Sequence, residues 1–430
     1  MSFATEKALD AAYVMPTYAR SEVEFVSGHG MTLVDDAGRE YLDFLAGIGV
    51  CCLGYGHPAV VDAAGAQAGK LVHACNYFYT EHRAEVAALL SKLANDDMEG
   101  AAALVAAVDA GDEEAVRAAA GPAPGEQVWK TFFANSGAEA NEGSMKLARL
   151  YAKRQGNGGN TIVALRGGFH GRTLETVAAT MQDSLQESFK PLPEGFVACT
   201  PNDCDELVGL FDALGSEICA VLIEPVQGEG GVHPLTQEFM EAARNLAHEH
   251  GALLIADEVQ TGVFRTGRPF AFQNYGVEPD IMSLAKAIAG GVPMGACVAK
   301  AQVADAFRPG DHGSTFGGST LATATSLSVL SELVRGRYDL HAAEVGEYFR
   351  ARLAELPHVV EVRGQGLMVG CDLEECVGDA HGVVAQGLDA GFVFNATGPR
   401  TLRFLPPLVC ERDEVDALID ALRGILGAAA

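Results

Sequence analysis

Short apolar segments alternate with amphipathic segments over most of the chain, and this alternation restricts the fold more than any other feature. Six apolar runs have the length of buried strands: 130–134, 161–165, 219–223, 252–256, 281–284 and 295–299. Segments with helical spacing of apolar residues lie between several of them, at 142–153, 205–213 and 237–250. Such alternation predicts an α/β fold in which helices cover both faces of a mostly parallel sheet. Ligands of these sheets bind at the carboxyl ends of the strands.

The two ends of the chain have a different pattern. Residues 28–45 alternate like a β-hairpin around a turn at 35–38, and helical patterns start at 57 and run over 81–93. Strand patterns at 359–372, 391–395 and 401–404 precede an acidic terminal helix. We therefore expect a large domain at 58–320 and a smaller α+β domain at 321–430, which the N-terminal segment 1–57 joins. The alanine-rich, acidic segment 95–126 predicts a surface insertion that forms a solvated helical hairpin.

The charge of the chain excludes several classes of partner. The 430 residues include 57 acidic and 30 basic side chains, which gives a formal charge of −27. A surface of this kind repels nucleic-acid phosphates and anionic lipids, so we expect neither nucleic acid nor membrane as a partner. The first 20 residues contain no apolar run typical of a signal peptide. We expect a cytoplasmic protein.

The ten cysteines are scattered and form no Cys-x-x-Cys pair. Cys371 and Cys376, like Cys199 and Cys204, are too far apart for that motif and lack clustered histidines. In a long chain this pattern indicates buried thiols in a reducing compartment rather than disulfides. No metal ligand is assigned.

Lys286 lies in an apolar stretch, between Leu284 and Ile288, that ends at Gly290 and Gly291. Its stem could run along apolar neighbours while the amine reaches water, and this stretch alone favours that interpretation. Alternatively, a poorly hydrated pocket could hold the amine. Desolvation lowers the pKa of a lysine and makes its amine a nucleophile able to form a Schiff base.

Other segments allow a structural and a functional interpretation. Residues 135–141 follow a strand and open a helix, which is either a common turn or an anion site. Asp257 ends an apolar strand, where it could pair with an arginine such as Arg265 or Arg268, or with the pyridine nitrogen of a cofactor. Phe169 and Arg172 occupy a glycine-rich turn, where the structural interpretation is a core ring and a surface charge.

Six motifs occur in a fixed order along the chain. They are Asn-Ser-Gly-x-Glu-Ala-Asn at 135–141, Phe-His-Gly-Arg at 169–172, Glu-Pro-x-Gln-Gly-Glu at 224–229, Asp-Glu-Val-Gln-Thr-Gly at 257–262, Lys286, and His-Gly-Ser-Thr at 312–315. In this order the chain resembles the class-III aminotransferases from residue 15 to residue 408, and among them most closely the acetylornithine aminotransferases. The resemblance implies a PLP-dependent transferase of fold type I, the aspartate-aminotransferase-like fold.

The resemblance also implies the cofactor site. Lys286 would hold pyridoxal 5′-phosphate as a Schiff base and later shuttle the reaction's proton, and Asp257 would pair with the pyridinium nitrogen. The other cofactor-binding residues implied are Ser136, Gly137, Ala138, Phe169, Val259, Gln260 and Thr315. Thr315 would come from the neighbouring subunit, which implies a homodimer with its active sites at the interface.

The implied substrates are N2-acetylornithine and 2-oxoglutarate, in a reaction that runs in reverse during arginine biosynthesis. Arg172, with Ser314 of the other subunit, would bind the carboxylate far from the reacting carbon. Arg403 would bind the carboxylate on the reacting carbon of 2-oxoglutarate, and Glu229 would mask that arginine when acetylornithine is bound. The alternative is a permanent structural pair of Arg403 and Glu229. Tyr18 corresponds to a tyrosine that contacts the α-amino end of the substrate.

Several alternatives stay open. Ornithine, succinylornithine and 4-aminobutyrate aminotransferases share the same motifs, and a PLP-dependent aminomutase or racemase would use the same cofactor. A cofactor-less binding protein could keep the fold. The sequence departs from the family pattern at Ala138, where a threonine is common, and at Ser319-Thr320, where Asn-Pro is usual.

Overall fold

The computed structural model describes residues 2–156 and 158–427. Its strands are β1 Phe25–His29, β2 Thr32–Asp35, β3 Glu40–Asp43, β4 Trp129–Ala134, β5 Thr161–Leu165, β6 Phe196–Cys199, β7 Ile218–Ile223, β8 Val226–Gln227, β9 His233–Pro234, β10 Leu253–Asp257, β11 Ile281–Leu284, β12 Gly295–Lys300, β13 Val359–Gln365, β14 Met368–Leu373, β15 Phe392–Val393, β16 Asn395–Ala396 and β17 Thr401–Phe404.

The α-helices are α1 Phe3–Tyr13, α2 Ala46–Gly49, α3 Pro58–Lys70, α4 Arg83–Ala94, α5 Met98–Ala110, α6 Glu113–Ala120, α7 Gly137–Gln155, α8 Leu174–Ala179, α9 Asp183–Gln186, α10 Cys204–Leu214, α11 Gln237–Glu249, α12 Ala301–Ala304, α13 Thr320–Arg335, α14 Tyr338–Ala354, α15 Ala380–Asp389 and α16 Arg412–Gly427. Within the described ranges, no helix has both the length and the apolar character needed to cross a membrane.

The central sheet has seven strands in the order β4-β12-β11-β10-β7-β5-β6. The five strands from β11 to β6 are parallel, and only β12 runs antiparallel to its neighbours β11 and β4. This arrangement confirms the predicted mostly parallel sheet, and each of the six predicted apolar runs lies on one of its strands. The edge strand β6 was not predicted, because it is short and only partly buried.

Helices cover both faces of this sheet, which explains why its central strands are apolar throughout. All residues of β7 and β10 are buried. Leu222 and Ile255 pack on the face covered by α7, with Met145 and Leu147. Side chains that point the other way meet a second core formed with α11; they include Val221, Leu254 and Ala256. The two cores fix the sheet rigidly behind the loops at its carboxyl edge.

The predicted N-terminal hairpin is formed by β2 and β3, and β1 extends it to a three-stranded unit. The Asp35 carboxylate accepts hydrogen bonds from the backbone N–H groups of Ala37 and Arg39 and so holds the turn. Strand β15, near the C-terminus, pairs in parallel with β3. The N-terminal segment thus shares a sheet with the C-terminal part, as expected, whereas the boundaries at residues 57 and 320 stay predictions.

Residues 95–126 form the predicted helical hairpin of α5 and α6, but the prediction that it is solvated is wrong for α5. Ala101, Leu104 and Val105 are buried and pack against α4 and α13. The alanine-rich composition hid this apolar face. Helix α6 has no buried residue. At the base of the hairpin, the buried amine of Lys92 contacts the Glu126 carboxylate at 2.8 Å.

Because α5 is buried and α6 is not, a substitution in the buried face of α5 should destabilise the protein more than a substitution on the surface of α6. Leu104→Ala should lower the free energy of unfolding by about 2–5 kcal/mol, because it leaves a cavity in the core. Arg117→Ala in α6, whose side chain is 79% exposed, is the matched control and should change it by less than about 0.5 kcal/mol. Urea denaturation measures both. Equal effects of the two substitutions would contradict the assignment of α5 to the core.

Candidate active site

Most of the predicted site residues line one cavity, the main cavity of the candidate site, which lies at the carboxyl ends of β10 and β11 and measures about 360 Å³. These strands are parallel neighbours, and Asp257 stands opposite Ser283 in their register. The cavity therefore receives the side chains that follow both strands. Its lining includes Val50, Ser136, Gly137, Ala138, Asn141, Phe169, His170, Glu224, Glu229, Asp257, Val259, Gln260 and Lys286. The position agrees with the ligand edge expected of a parallel sheet.

Lys286 begins a short 3-10 helix, Lys286–Ala289, immediately after β11. Its φ of 51° is uncommon for a residue with a side chain, and the buried neighbours Ala287 and Ile288 hold it there. Burial lowers the pKa of the Lys286 amine to about 8. The negative charge of Glu229 partly opposes this shift, whereas the positive charge of Arg403 lowers the pKa further. The amine lines the cavity rather than reaching open solvent, so the structure favours the poorly hydrated lysine over the snorkelling one.

Asp257 is a buried carboxylate whose partners are all hydrogen-bond donors. Its Oδ2 accepts from Asn141 Nδ2 at 2.7 Å and lies 2.8 Å from His170 Nδ1, and its Oδ1 accepts from Val259 N at 3.0 Å. The alternative of an ion pair with Arg265 is wrong, because that guanidinium donates to the carbonyls of Leu367 and Pro406. The carboxylate is thus held in one orientation at the floor of the cavity.

His170 supports this carboxylate from behind. Burial alone would lower the pKa of its imidazole, but the contact with Asp257 outweighs burial and raises the pKa. Its other ring nitrogen, Nε2, is buried and has no hydrogen-bond partner within the described ranges.

Three polar residues of the cavity, Asn141, Glu224 and His170, belong to the sequence motifs, but no role was predicted for them from the sequence. Asn141 accepts a hydrogen bond from Ser283 Oγ at 2.6 Å, which fixes its amide toward Asp257. Glu224 follows β7, and burial raises the pKa of its carboxyl to about 7. A signal was available for Glu224, a polar side chain directly beside a buried apolar run, where burial requires a partner. Asn141 and His170 lie further from the nearest strand and had no such signal.

The N-terminus of α7 forms the other side of the cavity. Ser136 caps the helix by accepting a hydrogen bond from Glu139 N at 3.2 Å. The N–H groups of Gly137 and Ala138 lie in the first turn and have no intrahelical acceptor, so they can bind an anion. A Cβ at Gly137 would lie 2.7 Å from Val259 Cγ1, which explains the glycine. Ala138 stands where a threonine is common in the family pattern, so it lacks the hydroxyl but keeps the backbone N–H donor.

Arg403 and Glu229 form an ion pair beside Lys286. Arg403 Nη1 lies 2.6 Å from Glu229 Oε1 and 3.3 Å from Gln260 Oε1, and the arginine side chain is fully buried. Burial would raise the pKa of Glu229, but Arg403 outweighs it and lowers the pKa. The Nη2 atom of Arg403 is buried without a hydrogen-bond partner in the described part of the chain. Nη2 of Arg403 is therefore available to donate a hydrogen bond to a ligand.

Four residues expected at the site do not line this cavity. Arg172 is exposed at its rim, with its guanidinium 5.3 Å from the centre of the Phe169 ring, and has no carboxylate partner among the described residues. Tyr18 is 76% exposed on the N-terminal segment. Ser314 and Thr315 line a separate depression near Asn76 and Tyr77.

Comparisons with known proteins agree with this geometry. The family model for "Aminotransferase class-III" matches residues 14–426. The acetylornithine aminotransferase of Methanocaldococcus jannaschii is 42% identical, over 96% of each chain. The solved N-acetylornithine aminotransferase of Stenotrophomonas maltophilia is 32% identical with a TM-score of 0.78, over 98% of each chain. An ornithine aminotransferase structure from Toxoplasma gondii, with partial occupancy of PLP at its active site, has a TM-score of 0.84 at 29% identity; the match covers 100% of this chain and 95% of that one.

Class-III aminotransferases use pyridoxal 5′-phosphate, and the cavity has the donor set that this cofactor requires. It offers one poorly hydrated amine, a fixed carboxylate, and free backbone N–H groups for a phosphate. The fold also has the mostly parallel sheet of fold type I. The chain belongs to the class-III aminotransferases and is a PLP-dependent aminotransferase.

Proposed function

We propose that this enzyme transfers the terminal amino group of N2-acetylornithine to 2-oxoglutarate and forms N-acetylglutamate 5-semialdehyde and glutamate. Arginine biosynthesis would use the reverse direction. The observation that carries this proposal is the ion pair beside Lys286 between buried Arg403 and Glu229, whose side chain is 32% exposed. The identity of 42% with an acetylornithine aminotransferase supports it.

We assign the cofactor contacts as follows. Lys286 Nζ would attach to the carbonyl carbon of pyridoxal 5′-phosphate, whose ring withdraws electrons from the reacting carbon of the substrate. The N–H groups of Gly137 and Ala138 at the capped end of α7 would bind the phosphate, next to Ser136. The remaining contacts are assigned to the cavity walls, with Phe169 and Val259 on the two ring faces and Gln260 near the ring oxygen.

Asp257 would keep the ring nitrogen protonated. Its carboxylate is buried, oriented by Asn141 and flanked by His170. A fixed negative charge in a site with little water stabilises a neighbouring N–H⁺ more strongly than a solvated one does. Lys286, once released from the cofactor, would move the proton at the reacting carbon of the substrate, and its pKa of about 8 lets it accept and return that proton near neutral pH.

The two substrates present different charges to this site. 2-Oxoglutarate has a carboxylate on its reacting carbon, and Arg403 would bind it once Glu229 swings away. Acetylornithine reacts at a terminal amine without such a carboxylate, so Glu229 would stay paired and neutralise Arg403. Arg172 would bind the distal carboxylate of either substrate. Tyr18 would contact the α-amino end of acetylornithine.

We further propose a homodimer that completes each site. Aromatic side chains near Thr315 are exposed to an unusual degree, with Tyr77 at 94% and Phe316 at 62%. An exposed apolar patch of this kind marks a binding surface. A second copy covering it would bring Ser314 and Thr315 to the cavity of the other chain, where Thr315 would add a hydroxyl to the phosphate site. We also propose the cytoplasm as the location, since all ten cysteines are free thiols.

A donor panel tests the proposed substrate. Purified holoenzyme receives 2-oxoglutarate and either acetylornithine, succinylornithine, free ornithine or 4-aminobutyrate. We expect the highest kcat/KM with acetylornithine. Much faster turnover of ornithine or 4-aminobutyrate would reject the assignment. Repeated turnover of a donor, beyond one equivalent per active site, without any 2-oxo acid acceptor would indicate an aminomutase or racemase.

The depressed lysine pKa predicts the pH dependence of cofactor attachment. At pH 7 a pKa of about 8 leaves roughly 300-fold more neutral amine than the ordinary value of 10.5 would. The rate at which cofactor-free protein attaches pyridoxal 5′-phosphate should therefore rise with pH and level off above about pH 8. Stopped-flow absorbance measures this rate. Lys286→Arg is the control and should give no borohydride-fixed cofactor; a rate still rising steeply at pH 10 would contradict the prediction.

The masked arginine predicts a change in donor preference. Glu229→Gln leaves the charge of Arg403 uncompensated, which favours donors with a carboxylate on the reacting carbon. The ratio of half-reaction rates, acetylornithine over glutamate, should fall at least about tenfold, or ~1.4 kcal/mol. Asp372→Asn is the matched control, because Asp372 pairs with buried Arg363 at 2.7 Å outside the cavity. An unchanged ratio in Glu229→Gln would show that the pair is only structural.

Subunit complementation tests the shared site. Lys286→Ala and Thr315→Asp should each lack activity, the second because it places a negative charge at the phosphate site. Co-expression of the two variants yields mixed dimers in which one site has both wild-type residues. Activity should return to about a quarter of the wild-type level. Co-expression without any recovery would contradict a site shared between subunits.

A further inference from the structure

The open end of the hairpin formed by β13 and β14 brings together three side chains of different chemistry, far from the main cavity. His358 precedes β13, and Glu374 and Cys376 follow β14. One ligand atom from each lies within 4.8 Å of the others. We propose that His358, Glu374 and Cys376 form a zinc-binding site, a role outside the aminotransferase reaction.

The distances between the three atoms fit a tetrahedral zinc ion. Cys376 Sγ lies 3.4 Å from His358 Nδ1 and 3.4 Å from Glu374 Oε2. Zn–S bonds of about 2.3 Å and Zn–N or Zn–O bonds of about 2.1 Å at tetrahedral angles place such atoms about 3.6 Å apart. His358 Nδ1 and Glu374 Oε2 are hydrogen-bonded at 2.8 Å and must separate by about 0.6 Å. The required movement is small.

The backbone holds two of the ligands before any ion binds. Val359 pairs with Leu373 in the hairpin, and Glu374 N donates to His358 O at 2.8 Å across its open end. Cys376 sits in the 3-10 turn Glu375–Val377. A preformed arrangement lowers the ordering cost of binding.

The donor set selects the metal. A thiolate, an imidazole and a carboxylate suit zinc, which accepts sulfur, nitrogen and oxygen, whereas calcium and magnesium require oxygen ligands. The cluster is open to solvent on one side, with the His358 and Glu374 side chains 21% and 46% exposed. Water can therefore supply the fourth ligand. Binding replaces the thiol proton of Cys376 with the metal and releases that proton to solvent.

The sequence pattern did not predict such a site, because the cysteines form no Cys-x-x-Cys pair and His358 lies 18 residues before Cys376 in the chain. The hairpin removes that objection by returning His358 to the same end as Cys376. Neighbouring Arg400 adds positive charge, but its guanidinium donates to the Leu373 carbonyl, at 2.9 Å from Nε, and does not occupy the ligand positions. The metal would tie the start of β13 to the turn after β14.

Zinc binding to the purified holoenzyme tests this proposal. After chelator treatment and desalting, the protein is titrated with zinc against a chromophoric competitor. We expect one zinc per chain with a Kd of about 1 μM or lower. Cys376→Ser should weaken binding at least about 100-fold, because loss of a direct ligand exceeds the effect of losing a supporting residue. His358→Gln should weaken it similarly.

Two matched controls locate the site. Cys75→Ser removes another exposed thiol, and His381→Gln breaks another histidine–carboxylate contact, with Asp379 at 2.7 Å, that does not belong to the proposed ligand set. Both should bind zinc like the wild type. Cobalt should give visible bands of a tetrahedral thiolate site that Cys376→Ser lacks. Weak zinc binding by the wild type, or unchanged binding by Cys376→Ser, would overturn the proposal.

Discussion

The parallel pairing of β10 and β11 is the constraint on which the active site depends. Parallel neighbours end at the same edge of the sheet, so the residues that follow them meet without any long loop. Their register places Asp257 opposite Ser283, only a few residues before Lys286. The acid and the amine are therefore held by the most deeply buried part of the fold, where the apolar strands leave little freedom for either backbone.

The cavity gathers charged groups that would be costly to bury without a ligand. Lys286 is poorly hydrated, Arg403 keeps an unpartnered Nη2, and the N–H groups at the start of α7 have no intrahelical acceptor. A protein that only needed stability would replace such groups with apolar ones. A cofactor with a phosphate and a ring nitrogen, together with dicarboxylate substrates, supplies the missing partners. This argues against a cofactor-less binding protein that merely retains the fold.

Periodicity predicted the buried strands well and the helix starts less well. β5 and β11 have the predicted bounds. Asn160 and Arg166 flank the run of β5, and Asp280 precedes that of β11. Helix α7 starts at Gly137, within the segment 135–141 that was predicted to open a helix, although its amphipathic pattern is recognisable only from residue 142. The burial of α5 was missed since alanines occur on both of its faces. The burial of a helix depends on which distant segments pack against it, and the residue pattern of the helix alone does not show this.

The motifs identified the residues of the site, but the distances between them came only from the fold. Asp257 was assigned a possible arginine partner nearby in the chain, whereas His170 and Asn141 reach it from distant segments. The pairing of Arg403 with Glu229 was expected from resemblance and is present in the structure.

Absorbance spectroscopy of the holoenzyme tests the central claim most directly. Acetylornithine added without any 2-oxo acid should remove the visible band of the bound cofactor, because the amino group has moved to it. Subsequent 2-oxoglutarate should restore the band. The proposed function would be contradicted if acetylornithine left the band unchanged and free ornithine or 4-aminobutyrate removed it.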